Sequence, residues 1–349
     1  MQLIIVDDGT LTARALCREL PPALAPYPVM VQIVHSAMKT TVTALRTGEA
    51  EQVREYYGSP AELAAKVTGA DILVVHKSPV TEDVIAAAPG LRLIACARAH
   101  PVNVDLKAAR RRRIPVVHAP GRAAESAADL TVALLLCLAR NLYIVCREND
   151  RGGAKLWQYE NRSRLEGMDL AGKTLGIIGF GQVGRRVAAR ALAFHMQILV
   201  YSPHVNRDEI IAAGAGPAAL EELLSAADFI SLHTRPRADK TSLIGAPQLA
   251  LMKKSACLVN TARGELIDEN ALFAALKEKR IRAAALDVLC DEPPPPDHPF
   301  FTLPNILLVP HLGGKTKEAP ANAAAIVTRE VANFLSGRPL EHLFKENGS

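Results

Sequence analysis

KTLGIIGFGQVG, residues 173–184, decides the fold. Its apolar run Leu175–Ile178 has the length and composition of a buried strand. Gly179-Phe180-Gly181-Gln182-Val183-Gly184 follows, and then Arg185–His195, where Val187, Ala191 and Leu192 continue from Val183 at helical spacing. Strand, G-x-G-x-x-G, helix is the context that separates a dinucleotide-binding turn from a Gly-rich turn in a core. Gly179 allows the tight turn, Gly181 lets a pyrophosphate approach the backbone, and Gly184 lets the helix pack close to the sheet. The unpaired N–H groups at the helix start then face the phosphate charge.

A chain of 349 residues has room for two domains of ordinary size. With 49% hydrophobic and 22% charged residues it has the make-up of a soluble globular protein. A net charge of +5 is mild for this length. It suits an anionic ligand and gives no case for nucleic acid or an anionic membrane. Arg110-Arg111-Arg112-Arg113 ends an expected helix, where cations meet the dipole favourably, and reads as a solvated helix end. The six cysteines (17, 96, 137, 146, 257 and 290) are scattered, without a CxxC pair, and neither they nor the histidines have metal-site spacing, so no metal is expected. MQLIIVDD lacks a basic segment and reads as a strand, not a signal peptide. Leu130–Ala139, the longest apolar helix candidate, is too short to span a bilayer. Asn161-Arg162-Ser163 and Asn347-Gly348-Ser349 fit a glycosylation pattern but have no secretory context. The expected compartment is a reducing cytoplasm.

From residue 2 to residue 117 short strands alternate with helices. Strands are expected at Leu3–Val6, Val31–Val34, Ile72–Val75, Leu93–Cys96 and Pro115–Val117, and helices at Thr12–Leu20, Ala61–Val67, Thr81–Ala87 and Val104–Arg112. Such alternation implies a parallel sheet covered on both faces. Thr40–Ser59 shows no clear period. Gly121-Arg122 reads as a hinge, Ser126 to Asp129 as a capping box, and the stretch beyond as one apolar helix to about Cys146. A helix apolar all round must be covered on all sides, and a domain or subunit interface would do it. Gly152–Gly167, with the lone Trp157, reads as an arm or loop. A second series starts at Lys173, with strands at Leu175–Ile178, Ile198–Tyr201, Phe229–His233, Cys257–Asn260, Ala283–Val288 and Ile306–Val309, the six-strand count of a Rossmann domain. Pro293–Pro296 reads as a stiff extended connection, and Lys317–Leu335 as a long last helix ending before Gly337.

In a doubly wound sheet, ligands collect at the C-terminal ends of the strands. Arg263, Glu292 and His311 each lie just past an expected strand end of the second series. Each has a bland alternative: a turn residue, a loop charge beside Asp291, a core histidine. Together they suffice for carbonyl reduction. An arginine can bind a carboxylate and polarise the adjacent carbonyl. A histidine can give or take the hydroxyl proton. A carboxylate beside it favours its protonated form and fixes its tautomer. A nicotinamide would carry the hydride.

These motifs, with Asn260-Thr261-Ala262-Arg263-Gly264, Leu286-Asp287-Val288, Asp291-Glu292-Pro293 and Pro310-His311-Leu312-Gly313-Gly314, resemble the D-isomer-specific 2-hydroxyacid dehydrogenases. The resemblance runs through nearly the whole chain, including Pro101–Asp105 as a substrate loop and Glu125–Arg140 as a crossover helix. It implies an α/β protein of two doubly wound parallel-sheet domains. A Rossmann cofactor domain, residues 122–311, would be inserted into a flavodoxin-like substrate domain, residues 1–121 plus 312–349. It implies Arg263, Glu292 and His311 as the catalytic set. Cofactor contacts would be Gly179, Gly181, Gln182, Val183 and Gly184 at the pyrophosphate, Ser202 at the ribose, Thr234 near the adenine, and Ala262 and Asp287 near the nicotinamide. Ala99, His100 and Arg263 would bind substrate. The implied activity is NAD(P)-dependent interconversion of a small 2-oxo acid and a D-2-hydroxy acid, in a homodimer packed through the apolar helix. A dinucleotide-sensing binding protein of the corepressor type is the alternative, because such proteins keep the same three residues.

Three departures stand out. Tyr201-Ser202-Pro203 lacks the acid expected about 20 positions beyond the fingerprint, which tilts the cofactor reading slightly from NAD toward NADP. Arg98-Ala99-His100-Pro101 stands where many relatives have Gly-Gly before the proline, and Ala and His restrict φ. Lys315 follows Gly313-Gly314 where a small residue is common.

Overall fold

The computed structural model describes residues 1–36, 41–44, 53–149, 156–158, 165–236, 239 and 241–345. The chain divides into two compact units, Met1–Ala123 with Thr316–Ser349, and Ala124–Lys315.

The first unit opens with β1 (Gln2–Asp7), a helix over Leu11–Leu24 and β2 (Met30–His35). β3 (Thr41–Ala44) and β4 (Arg54–Tyr57) then form a two-stranded antiparallel pair, so the stretch without clear period contains strands. β5 (Ile72–Val75), β6 (Leu93–Cys96) and β7 (Val116–His118) complete a five-stranded sheet of order β2-β1-β5-β6-β7, all parallel. Leaving out the β3–β4 pair, this is the flavodoxin-like 2-1-3-4-5 order. Along β1, Ile4 and Val6 join the core under the helices Pro60–Ala64, Glu82–Ala86 and Leu106–Arg111, while Leu3 and Ile5 join the opposite core. That is the period-2 alternation of a sheet buried on both faces.

The second unit begins with a helix over Ala124–Ala139. It starts two residues before Ser126, which therefore lies inside the helix and not at its cap. The expected single helix to Cys146 is broken: Asn141 takes the left-handed conformation at φ 55°, and a new helix runs Leu142–Asn149. Asparagine adopts that conformation more readily than most residues. One face of the first helix, with Ala128, Thr131, Leu134, Leu135 and Leu138, is buried, and Leu142 beyond it is 45% exposed. Most of the arm expected over Gly152–Gly167 lies outside the described residues, as do both glycosylation-like sites.

The sheet of this unit holds β8 (Thr174–Ile178), β9 (Gln197–Tyr201), the two-residue β10 (Gly216–Pro217), β11 (Phe229–Leu232), β12 (Cys257–Asn260), β13 (Ala283–Leu286) and β14 (Ile306–Leu308). Its order, β10-β9-β8-β11-β12-β13-β14, is the Rossmann order with one strand more. β10 is too short to leave a hydrophobic pattern. The helix Gln182–Ala193 packs on one face beside Ala124–Ala139, where Arg190 pairs with Glu125 and Asp129. The helices Leu220–Ala226, Ala246–Leu251 and Glu269–Lys277 cover the other. The four prolines do not form one extended rod: residues 291–293 bend and 296–297 turn. The chain then re-enters the first unit as the helix Glu318–Leu335, whose Ala323, Val327 and Val331 fill the core opposite the three short helices. Among the described residues no single helix is long and apolar enough to cross a membrane.

Candidate active site

The turn after β8 has the shape its glycines require. Gly179 sits at φ 96°, and a Cβ there would lie 2.5 Å from the His233 carbonyl oxygen. A Cβ on Gly184 would lie 2.2 Å from the Gly179 oxygen, so helix and strand can touch only without it. At Gly181 a Cβ would meet nothing within 4 Å. The space over that residue is open, as a cradle for pyrophosphate needs. Gly181 also places no side-chain cap on the helix that Gln182 and Val183 begin, so the first-turn N–H groups stay available. Ser202 accepts the Phe180 N–H at 3.3 Å, which ties the end of β9 to the same turn. Thr234 follows His233 at the end of β11 and is half-buried. The His233 ring bonds to Ser231 Oγ at 2.8 Å, and burial pushes its pKa down to about 3.

Asn260 shapes the turn after β12. Its amide nitrogen donates to the Arg263 carbonyl at 2.7 Å and its amide oxygen accepts the Ala262 N–H at 3.0 Å. This Asx-type turn leaves Arg263 exposed, with Nη1 on the Ala262 carbonyl at 2.7 Å. A Cβ on Gly264 would lie 2.1 Å from the Leu289 carbonyl carbon, so this turn lies directly against the loop leading to Glu292.

Glu292 and His311 meet: Oε2 accepts from Nδ1 at 2.6 Å, while Oε1 accepts the Leu289 N–H at 3.1 Å. Burial alone would raise the Glu292 carboxyl. The hydrogen bond and charge of His311, the Leu289 N–H and the Arg263 charge together hold it below the usual range. Because a carboxylate only accepts, Nδ1 carries the proton, and Nε2 is left for other chemistry. His311 itself stands at φ 52°. Asp287 holds it there. The Asp287 carbonyl accepts the His311 N–H at 2.9 Å, and its carboxylate accepts the N–H groups of Leu312 at 2.5 Å and Gly313 at 2.8 Å. Burial raises the Asp287 pKa against those two bonds.

In the first unit, Ala99 is exposed and His100 half-buried, and neither takes positive φ, so the loop does not require glycine at either position. The Ala99 carbonyl accepts His118 Nδ1 at 2.7 Å, and the His100 ring packs edge-on to Phe344 at 5.6 Å. Arg98 pairs with Glu55.

A family model described as "D-isomer specific 2-hydroxyacid dehydrogenase, NAD binding domain" matches residues 132–313. The chain belongs to this family. It is similar to the D-3-phosphoglycerate dehydrogenase of Methanocaldococcus jannaschii, with 44% identity over 81% of this chain and 53% of the relative. It is also similar to the glyoxylate reductase of Korarchaeum cryptofilum, with 38% identity over 78% of this chain and 82% of that one. The chain thus spans about half the length of the phosphoglycerate dehydrogenases it matches. Among solved structures, a protein from Thermus thermophilus superposes with a TM-score of 0.77 and 34% identity, covering 99% of this chain and 100% of the other. A glyoxylate reductase from Paecilomyes thermophila gives 0.75 and 26%, covering 99% and 98%.

Within the second unit, then, Arg263, Glu292 and His311 stand at successive strand ends of a dehydrogenase-family NAD-binding domain. Asp287, read from sequence as a cofactor contact, uses its carboxylate inside the chain. Asn260 was not singled out, although an Asn two and three residues before the groups it binds is a recognisable turn signal. Lys315 is exposed, and nothing in the structure explains its choice.

Proposed function

We propose that this chain is an oxidoreductase that interconverts a small 2-oxo acid and a D-2-hydroxy acid with a nicotinamide dinucleotide. The contact that carries the reading is His311 Nδ1 on Glu292 Oε2 at 2.6 Å, beside Arg263 and in the domain with the open glycine turn. The residues fit the dinucleotide: Gly179, Gly181 and Gly184 give the cradle, and Gln182 and Val183 offer backbone N–H groups to the pyrophosphate. Thr234, Ala262 and Ser202 would line the rest. When bound, the nicotinamide supplies or accepts the hydride.

The chain's own work is proton transfer and charge placement. Glu292 fixes the His311 tautomer, so Nε2 gives a proton to the forming hydroxyl in reduction and takes it back in oxidation. Arg263 holds the carboxylate and draws charge onto the carbonyl oxygen. Ala99 and His100 are the substrate contacts that the first unit would offer. The half-covered helix Ala124–Ala139 and exposed Leu142 favour a homodimer packed through that region. The relatives named above carry enzyme names, and the corepressor-type alternative finds no support in them. The test is oxidation of NADH and NADPH by the purified chain with glyoxylate, hydroxypyruvate and 3-phosphohydroxypyruvate. Turnover with none of these would overturn the reading.

A further inference from the structure

Glu292 is carried by a stretch with few ties. Among the described residues, two hydrogen bonds join residues 288–294 to other segments. One is the His311–Glu292 contact itself. The other is the Cys290 N–H, donated to Glu269 Oε1 at 2.8 Å, two residues before Glu292. The Leu289 N–H on Glu292 Oε1 closes the turn from within and ties it to nothing outside. The Gly264 turn packs against Leu289 and Cys290, but packing alone does not fix a loop along the surface it touches. Glu269 thus supplies the fixed point from which Glu292 reaches His311.

The Glu269 carboxylate is free for this task. Asp268 caps the helix Glu269–Lys277, its Oδ1 accepting the N–H groups of Asn270 at 3.0 Å and Ala271 at 3.1 Å. The helix start therefore needs no cap from Glu269. An N–H on a carboxylate is charge-assisted and roughly twice as strong as one on a neutral acceptor. The other carboxylate oxygen, Oε2, lies 3.5 Å from His298 Nε2. His298 is itself fixed. Its N–H donates to the Pro295 carbonyl at 3.0 Å, its Nδ1 accepts the Phe300 N–H at 3.3 Å, and its ring lies 5.0 Å from the ring of buried Phe300. Because Nδ1 accepts, the ring proton sits on Nε2 and faces Glu269. The Cys290 thiol is pushed up to about 12 by burial and by the Glu269 charge, so it stays neutral and brings no charge of its own to the loop.

We propose that Glu269, backed by His298, is the positioning residue of Glu292: by holding the Cys290 N–H it sets the reach of the Glu292 carboxylate to His311 Nδ1. The inference rests on the reading of Glu292 and His311 as the pair that handles the proton, and it adds a residue outside that pair.

The test joins two measurements on the full chain. One is steady-state kinetics with the 2-oxo acid and dinucleotide turned over fastest in the assay above. The other is ring-nitrogen NMR of histidine-labelled protein in mildly alkaline buffer, with His311 assigned by its absence from His311→Gln. Glu269→Ala should lower kcat about tenfold with cofactor KM nearly kept. The Nδ1–H form of the His311 ring should lose population in the same variant. Glu269→Gln keeps an acceptor oxygen, so it should restore the Nδ1–H form and bring kcat to within about threefold of the wild type. In a Glu292→Gln background, Glu269→Ala should cost less than about twofold more, because the contact it positions is already gone. Circular dichroism and Tm establish that each variant is folded. If Glu269→Ala is not, His298→Leu leaves the carboxylate but frees it, and should lower kcat about threefold with the same change in tautomer; unchanged values there overturn the proposal. So does wild-type kcat in folded Glu269→Ala. A further loss of about tenfold in the Glu292→Gln background also overturns it, since Glu269 would then act other than through Glu292. An unchanged His311 tautomer in a slowed Glu269→Ala does the same. If the tautomer shifts as expected and no 2-oxo acid is reduced, the positioning of Glu292 stands and the oxidoreductase reading falls. If turnover is seen and Glu269 is indifferent, the reverse holds.

Discussion

Asp287 accepts the Gly313 N–H on its carboxylate at 2.8 Å, and through this bond and its partner at Leu312 it wraps the turn that carries His311. A non-glycine residue at φ 52° is strained, and three bonds to one aspartate hold it there. Asp287→Asn keeps one acceptor oxygen and turns an amide N–H toward a backbone donor. Loss of one charge-assisted bond costs roughly 1.5–3 kcal/mol. We expect a lower Tm and a kcat reduced by about tenfold or more, with cofactor KM nearly kept. Steady-state kinetics beside thermal melts decide it: a lower Tm with unchanged kcat would make Asp287 structural only.

His311→Gln should lower kcat by roughly 10²–10⁴-fold with cofactor affinity nearly kept, because Gln cannot exchange the proton. Near wild-type turnover would remove His311 from the mechanism. Arg263→Ala should raise KM and lower kcat together, since one guanidinium serves both carboxylate and carbonyl. A change in KM alone would leave Arg263 as a binding residue without a polarising role.

Glu292 is ionised over the working range because its pKa is lowered, and its carboxylate accepts from His311 Nδ1 and fixes the tautomer. Glu292→Gln removes the charge and keeps the shape. Its amide can offer an N–H in place of an acceptor, so kcat should fall by about tenfold or more with cofactor KM nearly kept. An unchanged kcat would show that the 2.6 Å contact does not govern the proton.

Much of this site was legible because strand ends are legible. CLVN, AALDV and ILLVP are short, mostly apolar runs, and the residues three, four and one positions beyond them are carried by the loops at the end of the sheet. Arg263, Glu292 and His311 could be read that way. What was not legible depends on contacts across the sequence. Asp287 meets Leu312 and Gly313 only after β13 and β14 pair. The break at Asn141 is a single backbone conformation that leaves the apolar pattern intact. β3 and β4 pair with one another in a two-stranded sheet of their own, with no alternation strong enough to read.

His233 should leave a signature in stability. Its pKa is about 3 in the folded chain, against 6.5 unperturbed. Below about pH 6.5 the unfolded chain binds a proton that the folded chain does not, so stability rises with pH from about 3 to 6.5 and falls on acidification. At pH 5 the loss is about 2 kcal/mol by linkage. Urea unfolding at pH 7.5 and pH 5 should show that loss in the wild type and much less of it in His233→Gln. Equal losses would mean that the ring is not excluded from water as burial implies.

The last prediction concerns the choice of dinucleotide. An acid at the end of the second strand would bond the ribose hydroxyls of NAD and repel a 2′-phosphate. Ser202 stands there, uncharged, with its hydroxyl on the Phe180 N–H. His204 and Arg207 are both exposed nearby, and Arg207 opens the helix Arg207–Ala212. Arg185 is less available: it pairs with Glu209 at 2.6 Å and lies over the Phe180 ring. A contact from Arg207 to a 2′-phosphate would be charge-assisted, contributing roughly 1–3 kcal/mol. We therefore expect a slight preference for NADPH over NADH in kcat/KM. Ser202→Asp keeps an acceptor for Phe180 and adds the missing charge, so it should shift preference strongly to NADH. Arg207→Ala should weaken NADPH selectively and leave NADH nearly untouched. If the wild type oxidises NADH well and ignores NADPH, the uncharged turn at Ser202 does not set the choice, and the end of β9 must hold the ribose through its backbone.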